Sequence, residues 1–278
     1  MPYLPRLLNS DIDVDRADFL LRDTHQCGVT YGQYNLDWLL STCTVGKTSD
    51  NKIVIGFDER KGLRIVEQFL IARRALYETV YHHKTVRIAE GMVALFLRRF
   101  KEVLKEDIDK FKKTEIIKIL EPFMKVISGD ALQPMELLSL DDYSLWILID
   151  YVARMNNIDE TVQDLARRIL ARDLFKIVPC KSKKVNDFLR KKDALEEIYK
   201  KVQPFCRGLK DYYFYIDTLK FSMFSDKSEE FAYFIDDQQN ATSVREHESL
   251  RVHWHTHEDL VRVYTVHEAV DAVKELIG

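Results

Sequence analysis

Acidic, basic and aromatic side chains are concentrated between residues 13 and 25 of the chain. In a helix, which turns by about 100° per residue, five of them fall within one arc of roughly 120°. They are Asp15, Arg16, Phe19, Arg22 and Asp23. The mixture of carboxylates, guanidinium groups and an aromatic ring makes this face a candidate functional site. The alternative is a solvated helix face with ion pairs four residues apart, although such a face less often includes a bulky aromatic residue.

A second set of charged and aromatic residues lies further along the chain. Arg73, Tyr77 and Tyr81 are spaced four residues apart, and Lys84 falls on the same side of a helix. Aromatic faces stack on a base or a sugar, while arginine and lysine bind phosphate oxygens. This set therefore suits a nucleotide. Half-buried core tyrosines flanked by extended cationic side chains would give the same spacing, and both interpretations stay open from the spacing alone.

Two helices are needed to position these sets. The apolar residues that can pack the first helix on a core are Val14, Ala17, Leu20 and Leu21. Gly28 is well placed to end that helix. Residues 71–87 contain no Gly or Pro and predict one long helix for the second set. Between the two helices, residues 41–45 and 52–57 predict a β-hairpin.

The two segments together resemble a known family. Residues 13–23 read DVDRADFLLRD, and residues 72–84 read ARRALYETVYHHK. They resemble the later part of the HD-domain metal-dependent phosphohydrolases, most closely the deoxynucleoside triphosphate triphosphohydrolase branch. Residues 140–143 and 172–176 look like two further landmarks of that family. The resemblance therefore spans roughly residues 9–178.

The resemblance implies a role for each matching position. The family holds a divalent metal ion (Mn, Mg, Fe or Zn) with four ligands, and Asp15 matches the last of them. The positions that match phosphate-binding residues are Arg16, Arg73 and Lys84. Those that match residues around the sugar or base are Phe19, where the family usually has Tyr, Tyr77 and Tyr81. Those that match polar or proton-transfer residues are Asp23, His25 and His83. The implied reaction is attack of water on a (deoxy)nucleoside triphosphate.

The other three metal ligands of the family, a His and an adjacent His-Asp pair, have no counterpart in this sequence. No His precedes Asn9, and no His-Asp dipeptide occurs among the eight histidines. One carboxylate cannot hold a catalytic metal ion by itself. The chain is therefore expected to be the later part of a longer enzyme, or half of a split enzyme that a partner chain completes. The alternative is a non-catalytic nucleotide-binding or scaffold protein on an HD-derived fold.

A separate group of histidines lies near the end of the chain. His253, His255 and His257 alternate, so that in a strand all three would project from one face. Alternating histidines can bind zinc. An exposed strand and turn explains the same residues, and the sequence leaves both interpretations open.

Composition and charge narrow the classes of protein to which the chain can belong. The formal net charge of −3 argues against a nucleic-acid coat, which requires a concentrated basic face. Four scattered cysteines without Cys-x-x-Cys spacing predict reduced thiols and a cytoplasmic location. No apolar run is long enough to predict a membrane span. The expected partners are a nucleotide substrate and either further copies of the chain or a complementing chain that carries the missing His and His-Asp ligands.

The pattern of apolar residues changes in the last third of the chain. Helical periodicity dominates up to about residue 175, whereas aromatic and β-branched residues predict strands in several later segments. The prediction is a mainly α fold, with an HD-type helical domain over residues 1–176 that is incomplete at its N-terminus and contains a β-hairpin insertion. A small α+β module follows over residues 177–278.

Overall fold

The structure is a computed structural model that describes residues 5–106, 111, 117–219, 232–250 and 260–278. His253, His255 and His257 lie outside the described residues, so metal binding by these histidines stays a prediction. Within the described ranges, no helix combines the length and the apolar character that crossing a bilayer requires.

Helices and strands are numbered along the chain. In the described residues the helices are α1 (Pro5–Leu8), α2 (Val14–Cys27), α3 (Leu36–Ser41), α4 (Glu59–Leu76), α5 (Lys84–Glu106), α6 (Ile117–Ser128), α7 (Pro134–Leu138), α8 (Asp142–Arg154), α9 (Glu160–Ala171), α10 (Ser182–Leu189), α11 (Ala194–Val202) and α12 (Val270–Ile277). The strands are β1 (Cys43–Lys47), β2 (Ile53–Asp58), β3 (Lys176–Ile177), β4 (Phe214–Leu219), β5 (Tyr233–Ile235), β6 (Ala241–Ser243) and β7 (Leu260–Thr265). The predicted fold class, mainly α with an α+β part, is confirmed.

The chain forms two compact units, each built from two segments. Unit 1 comprises residues 1–83 and 219–259, and unit 2 comprises residues 84–218 and 260–278. The predicted domain boundary after residue 176 falls inside unit 2, and it divides the two residues of β3. The division into domains at residue 176 stays a prediction.

Unit 1 contains a four-stranded sheet in the order β1-β2-β5-β6. Strands β1 and β2 form an antiparallel hairpin in which Cys43 pairs with Phe57, as the sequence predicts. Strand β5 then pairs in parallel with β2. Helices α2 and α4 contribute Leu20 and Phe69 to the core of this unit, and both side chains are fully buried.

Local capping explains where the helices of unit 1 begin and end. The Asp58 carboxylate accepts a hydrogen bond from the Lys61 backbone N–H and caps the start of α4. Gly28 follows the last residue of α2 with φ +66°, a left-handed conformation that glycine adopts without strain. The predicted end of the first helix is therefore confirmed.

Tyr34 anchors helix α2 to the core of unit 1. Its hydroxyl donates a hydrogen bond to the backbone carbonyl of Ala17 at 2.6 Å. Its ring meets Phe69 edge-on, with ring centroids 5.0 Å apart. Burial raises the pKa of Tyr34 to about 12, and the nearby charge of Asp18 adds to the shift.

We expect this buried phenol to weaken the fold at alkaline pH. Because the pKa of Tyr34 is higher in the folded protein than in the unfolded chain, its contribution is complete below pH 10 and is lost as the pH rises toward 12. Between pH 10 and 11 the loss should be about 1 kcal/mol. Urea unfolding of wild type and Tyr34→Phe across this range measures it. The stability advantage of wild type should shrink by that amount, and a constant advantage would contradict the prediction.

Unit 2 combines a helical core with a three-stranded sheet in the order β3-β7-β4. Strand β3 pairs antiparallel with β7, with Lys176 opposite Thr265. Helix α8 starts at the N-cap Asp141, whose carboxylate accepts a hydrogen bond from the Ser144 backbone N–H at 2.8 Å. The core includes Phe100, which has no exposed surface.

Two details of the predicted helices are wrong. Val14 was expected on the apolar side of the first helix, but its side chain is 55% exposed because it occupies the first residue of α2, at the edge of the core. Residues 71–87 do not form one continuous helix. Helix α4 ends at Leu76, a π-helical turn covers Tyr77–Tyr81, and α5 starts at Lys84.

Candidate functional site

The start of helix α2 holds Arg16 in a fixed position. The buried Asp13 carboxylate caps the helix, accepting a hydrogen bond from the Arg16 backbone N–H at 2.7 Å. The Arg16 guanidinium group forms an ion pair with the same carboxylate and donates to the backbone carbonyl of Ser10. Sequence reasoning missed this role of Asp13, although an Asp directly before an amphipathic helix is a typical N-cap signal.

Asp15 lies in the first turn of α2 and its side chain is exposed. Its neighbours Asp11 and Asp13 are engaged by arginine side chains. Among the described residues, no three His, Cys, Asp or Glu side chains lie close enough together to hold a metal ion. Asp15 thus offers a single carboxylate, and the described residues do not by themselves fit the divalent ion that the family resemblance implies.

A buried ion pair lies beside this helix start. The Asp11 carboxylate is fully buried and accepts two hydrogen bonds from the Arg245 guanidinium group, both 2.9 Å long. Arg73 donates to the backbone carbonyl of Asp11 at 3.3 Å. Sequence reasoning missed this ion pair because its partners lie 234 residues apart. Asp11 therefore connects the residues just before α2 to α4, through Arg73, and to the second segment of unit 1, through Arg245.

Three aromatic side chains from the predicted site meet in unit 1, and we refer to Phe19, Tyr77 and Tyr81 as the aromatic cluster. Tyr77 and Tyr81 meet edge-on with ring centroids 5.0 Å apart. Phe19 of α2 meets Tyr81 edge-on at 6.2 Å. The aromatic residues of the two sequence motifs therefore come together, as the resemblance implies.

Asp23 fixes the orientation of the Tyr81 ring. The Tyr81 hydroxyl donates a hydrogen bond to the Asp23 carboxylate at 2.6 Å. Burial raises the pKa of Tyr81 well above its usual value, and the bond to Asp23 raises it further. Because the phenol keeps its proton at neutral pH, it acts as a donor that ties the π-helical turn to α2.

Arg73 brings positive charge to the edge of the aromatic cluster. Its side chain is buried, and its guanidinium carbon lies 5.5 Å from the centre of the Tyr77 ring. Burial lowers the pKa of Arg73, and the positive charge of nearby Arg16 lowers it further. Arg16 and Arg73, on different helices, donate to the neighbouring backbone carbonyls of Ser10 and Asp11, so positive charge from both helices meets beside the start of α2.

The π-helical turn explains why the tyrosines leave the ideal helical path. The His82 backbone N–H donates to the carbonyl of Tyr77 at 2.9 Å, five residues back rather than four. The wider turn ends the helix before His83, whose side chain is exposed. Such turns occur frequently at functional sites.

Three further predicted site residues lie at or next to helix ends. His25 is exposed in the last turn of α2, and His83 is exposed at the end of the first segment of unit 1. Lys84 is the first residue of α5 in unit 2, where it lines a cavity of about 950 Å³ together with Arg172 and Lys176. The roles predicted for these three residues stay predictions.

Comparison with known proteins identifies one region of the chain and its relatives. Residues 45–124 match the HD-associated region family. The uncharacterised protein YwfO of Bacillus subtilis is 30% identical over 176 residues, which is 62% of this chain and 36% of YwfO. An uncharacterised protein of Methanocaldococcus jannaschii is 36% identical over 104 residues, 37% of this chain and 22% of that protein. The matched regions thus span about a third or less of these relatives.

Solved structures show the same fold. A phosphohydrolase from Bacteroides thetaiotaomicron has a TM-score of 0.66 and 21% identity, with 94% of this chain and 62% of that chain covered. A hypothetical protein from Aquifex aeolicus has a TM-score of 0.60 and 21% identity, with 96% and 57% covered. At this identity the likeness shows the fold alone. Together with the HD-associated region it confirms the resemblance to the HD phosphohydrolases, whereas the triphosphohydrolase branch stays a prediction.

Proposed function

We propose that this chain, which carries an HD-associated region on a fold shared with a phosphohydrolase, is the nucleotide-binding part of an HD-type phosphohydrolase for (deoxy)nucleoside triphosphates. One observation carries the proposal. Arg73 lies beside Tyr77 of the aromatic cluster, and Arg16 donates to the carbonyl of Ser10, next to the Asp11 carbonyl that Arg73 contacts. Guanidinium groups bind phosphate oxygens and aromatic rings stack on bases. The arginines would bind the phosphates of a nucleotide, and the aromatic cluster would bind its base or sugar.

The charges of the arginines favour a phosphate at this position. The positive charges of Arg16 and Arg73 repel each other. Burial of Arg73 strengthens this repulsion, because little water screens the charge of its guanidinium group. A bound polyphosphate would accept charge-assisted hydrogen bonds from both guanidinium groups and would neutralise Arg73, whereas Asp13 already neutralises Arg16. Arg16 is held by Asp13 and Arg73 by the carbonyl of Asp11, so little side-chain motion is needed on binding.

The aromatic cluster would hold the sugar or base. The hydrogen bond from Tyr81 to Asp23 fixes one ring, and Phe19 and Tyr77 each contact that ring edge-on. Phe19 lacks the hydroxyl that the family usually has at this position, so its contribution is ring surface alone. A rigid, partly buried set of rings limits the side-chain entropy that ligand binding would otherwise lose.

Hydrolysis needs residues beyond those described. We place Asp15 as one ligand of a divalent ion (Mn, Mg, Fe or Zn) and expect a further polypeptide segment or a partner chain to supply a His and a His-Asp pair. In such enzymes the ion activates water and neutralises charge on the phosphate. The part of the proposal that concerns this chain is binding and orientation of the nucleotide.

Removal of the Arg73 charge should weaken nucleotide binding. Arg73→Gln is expected to lower the affinity of the chain for dGTP, measured by titration calorimetry in the presence of EDTA, by at least about tenfold. Arg74→Gln is the matched control, because Arg74 is the next residue, is exposed and pairs with Glu78. The control should bind dGTP within about twofold of wild type.

A second variant tests nucleotide binding without changing a buried charge, so that a folding defect in the Arg73 variant does not decide the result. Phe19→Leu keeps an apolar side chain but removes the ring, and should weaken dGTP binding several-fold because stacking contributes about 1 kcal/mol or more. Absence of dGTP binding by folded wild type would overturn the proposal, as would equal losses in the Arg73 and Arg74 variants. Release of triphosphate from dGTP by the chain with its complementing segment tests the hydrolytic half.

A further inference from the structure

The two arginines of the proposed phosphate site are held by one short loop. Residues 9–13 connect α1 to α2, and both Ser10 and Asp11 of this loop are buried. Arg16 donates to the backbone carbonyl of Ser10, and Arg73 donates to that of Asp11. The carbonyls of two consecutive residues therefore orient guanidinium groups from two helices. A displacement of the loop would move both of these hydrogen-bond acceptors.

A distant part of the chain anchors this loop. Nε and Nη2 of Arg245 each donate to one oxygen of the Asp11 carboxylate, both at 2.9 Å. Such a bidentate pair fixes the direction of the carboxylate as well as its position. Arg245 belongs to the second segment of unit 1 and lies outside residues 9–178, which the family resemblance covers. A residue to which the resemblance gives no role thus holds the loop that orients the two arginines.

The orientation of Arg73 depends on acceptors within the protein. Its side chain is buried, so in the absence of a ligand its N–H groups need protein acceptors such as the Asp11 carbonyl. A guanidinium group that is mobile before binding must be ordered by the ligand, which costs about twofold to tenfold in affinity for each such side chain. Loss of the anchor would therefore lower the affinity for phosphate without removing either cation.

We propose that Arg245, through its ion pair with Asp11, is a positioning residue for the phosphate-binding arginines of unit 1. This inference rests on the proposed nucleotide-binding function and extends the binding machinery to the second segment of unit 1. Arg245 acts through the loop, because its Nε and Nη2 face Asp11. The aromatic cluster is held by a different contact, the hydrogen bond from Tyr81 to Asp23. Recognition of phosphate, and not of base or sugar, therefore depends on Arg245.

A charge-neutral variant tests this role. The combined substitutions Asp11→Asn and Arg245→Gln, called the pair variant, remove one negative and one positive charge and leave no buried charge unpaired. Titration calorimetry in EDTA should show dGTP affinity at least about fivefold lower than in wild type. The affinity for deoxyguanosine, which carries no phosphate, should stay within about twofold by NMR titration. The matched control combines Arg64→Gln and Glu67→Gln, which remove an ion pair of α4, and should leave both affinities unchanged.

A double-mutant cycle separates positioning from a general loss of structure. Arg73→Gln should weaken dGTP binding less in the pair variant than in wild type, because the arginine has already lost its fixed orientation there. Equal losses in the two backgrounds would overturn the proposal. Unchanged dGTP affinity in the pair variant, or an equal loss of dGTP and deoxyguanosine affinity, would also overturn it.

A conservative variant keeps the test decisive if the pair variant does not fold. Arg245→Lys retains the positive charge beside Asp11 but cannot form the bidentate pair. It should show the same selective loss of dGTP affinity, smaller in size, and an unchanged dGTP affinity would overturn the positioning role. Wild type that binds dGTP while these variants bind it equally well refutes this inference alone. Wild type that does not bind dGTP refutes the proposed function, and this inference with it.

Discussion

Arg245→Ala is expected to lower the free energy of unfolding by about 3–5 kcal/mol, a large effect for one partly exposed side chain. The Asp11 carboxylate has no exposed surface and accepts two hydrogen bonds from the Arg245 guanidinium group. Removal of the guanidinium group leaves a buried negative charge without these two charge-assisted bonds. The penalty of that charge, rather than the net value of the ion pair, sets the size of the effect.

Urea unfolding followed by circular dichroism measures this loss. Arg64→Ala is the control, since Arg64 pairs with Glu67 at an exposed position and should lose less than about 1 kcal/mol. The double variant Asp11→Ala, Arg245→Ala should be less destabilised than the sum of its single variants, because it removes the charge together with its partner. A loss under about 1 kcal/mol for Arg245→Ala would show that the ion pair does not stabilise unit 1.

Asp15→Ala is expected to lower metal-dependent triphosphate release by about a thousandfold in the protein completed by the segment or partner chain that we propose supplies the other ligands. Asp15 is exposed at the start of α2 and matches a metal ligand of the family. Its substitution should leave metal-free dGTP binding no weaker than in wild type, since Arg16, Arg73 and the aromatic cluster remain. The expected result is therefore a loss of turnover without a loss of binding.

Asp18→Ala is the matched control for this experiment. Asp18 lies on the same helix, is exposed and pairs with Arg22, so its substitution should leave turnover within about twofold. Full activity of Asp15→Ala would contradict the ligand role. Nucleotide binding without turnover in the completed wild-type protein would instead identify a non-catalytic nucleotide-binding protein.

Local patterns in the sequence predicted the first helix and the hairpin. The first helix ends at Gly28 and the hairpin pairs β1 with β2, because capping and alternation depend on residues close in the chain. The spacing of four residues between Tyr77 and Tyr81 predicted a shared side, and their rings are in contact. The resemblance assigned Phe19 and these tyrosines to positions around the sugar or base, and the Phe19 ring meets that of Tyr81.

Other features depend on contacts that no local pattern encodes. The π-helical turn contains neither Gly nor Pro, so no sequence signal distinguishes it from the α-helix that precedes it. Val14 has the periodicity of a core residue but stands at the edge of the core. The pair of Asp11 and Arg245 joins positions far apart in sequence, and only tertiary packing brings them together.

The order of synthesis determines when the ion pair between Asp11 and Arg245 can form. Asp11 leaves the ribosome 234 residues before Arg245, an interval of about 10–50 s at ordinary rates of translation. During that interval every residue of the first segment of unit 2 is made. The Asp11 carboxylate therefore stays hydrated until Arg245 emerges. The first segment of unit 2, which lies between the two segments of unit 1 in the sequence, can be completed before those two segments pack on each other.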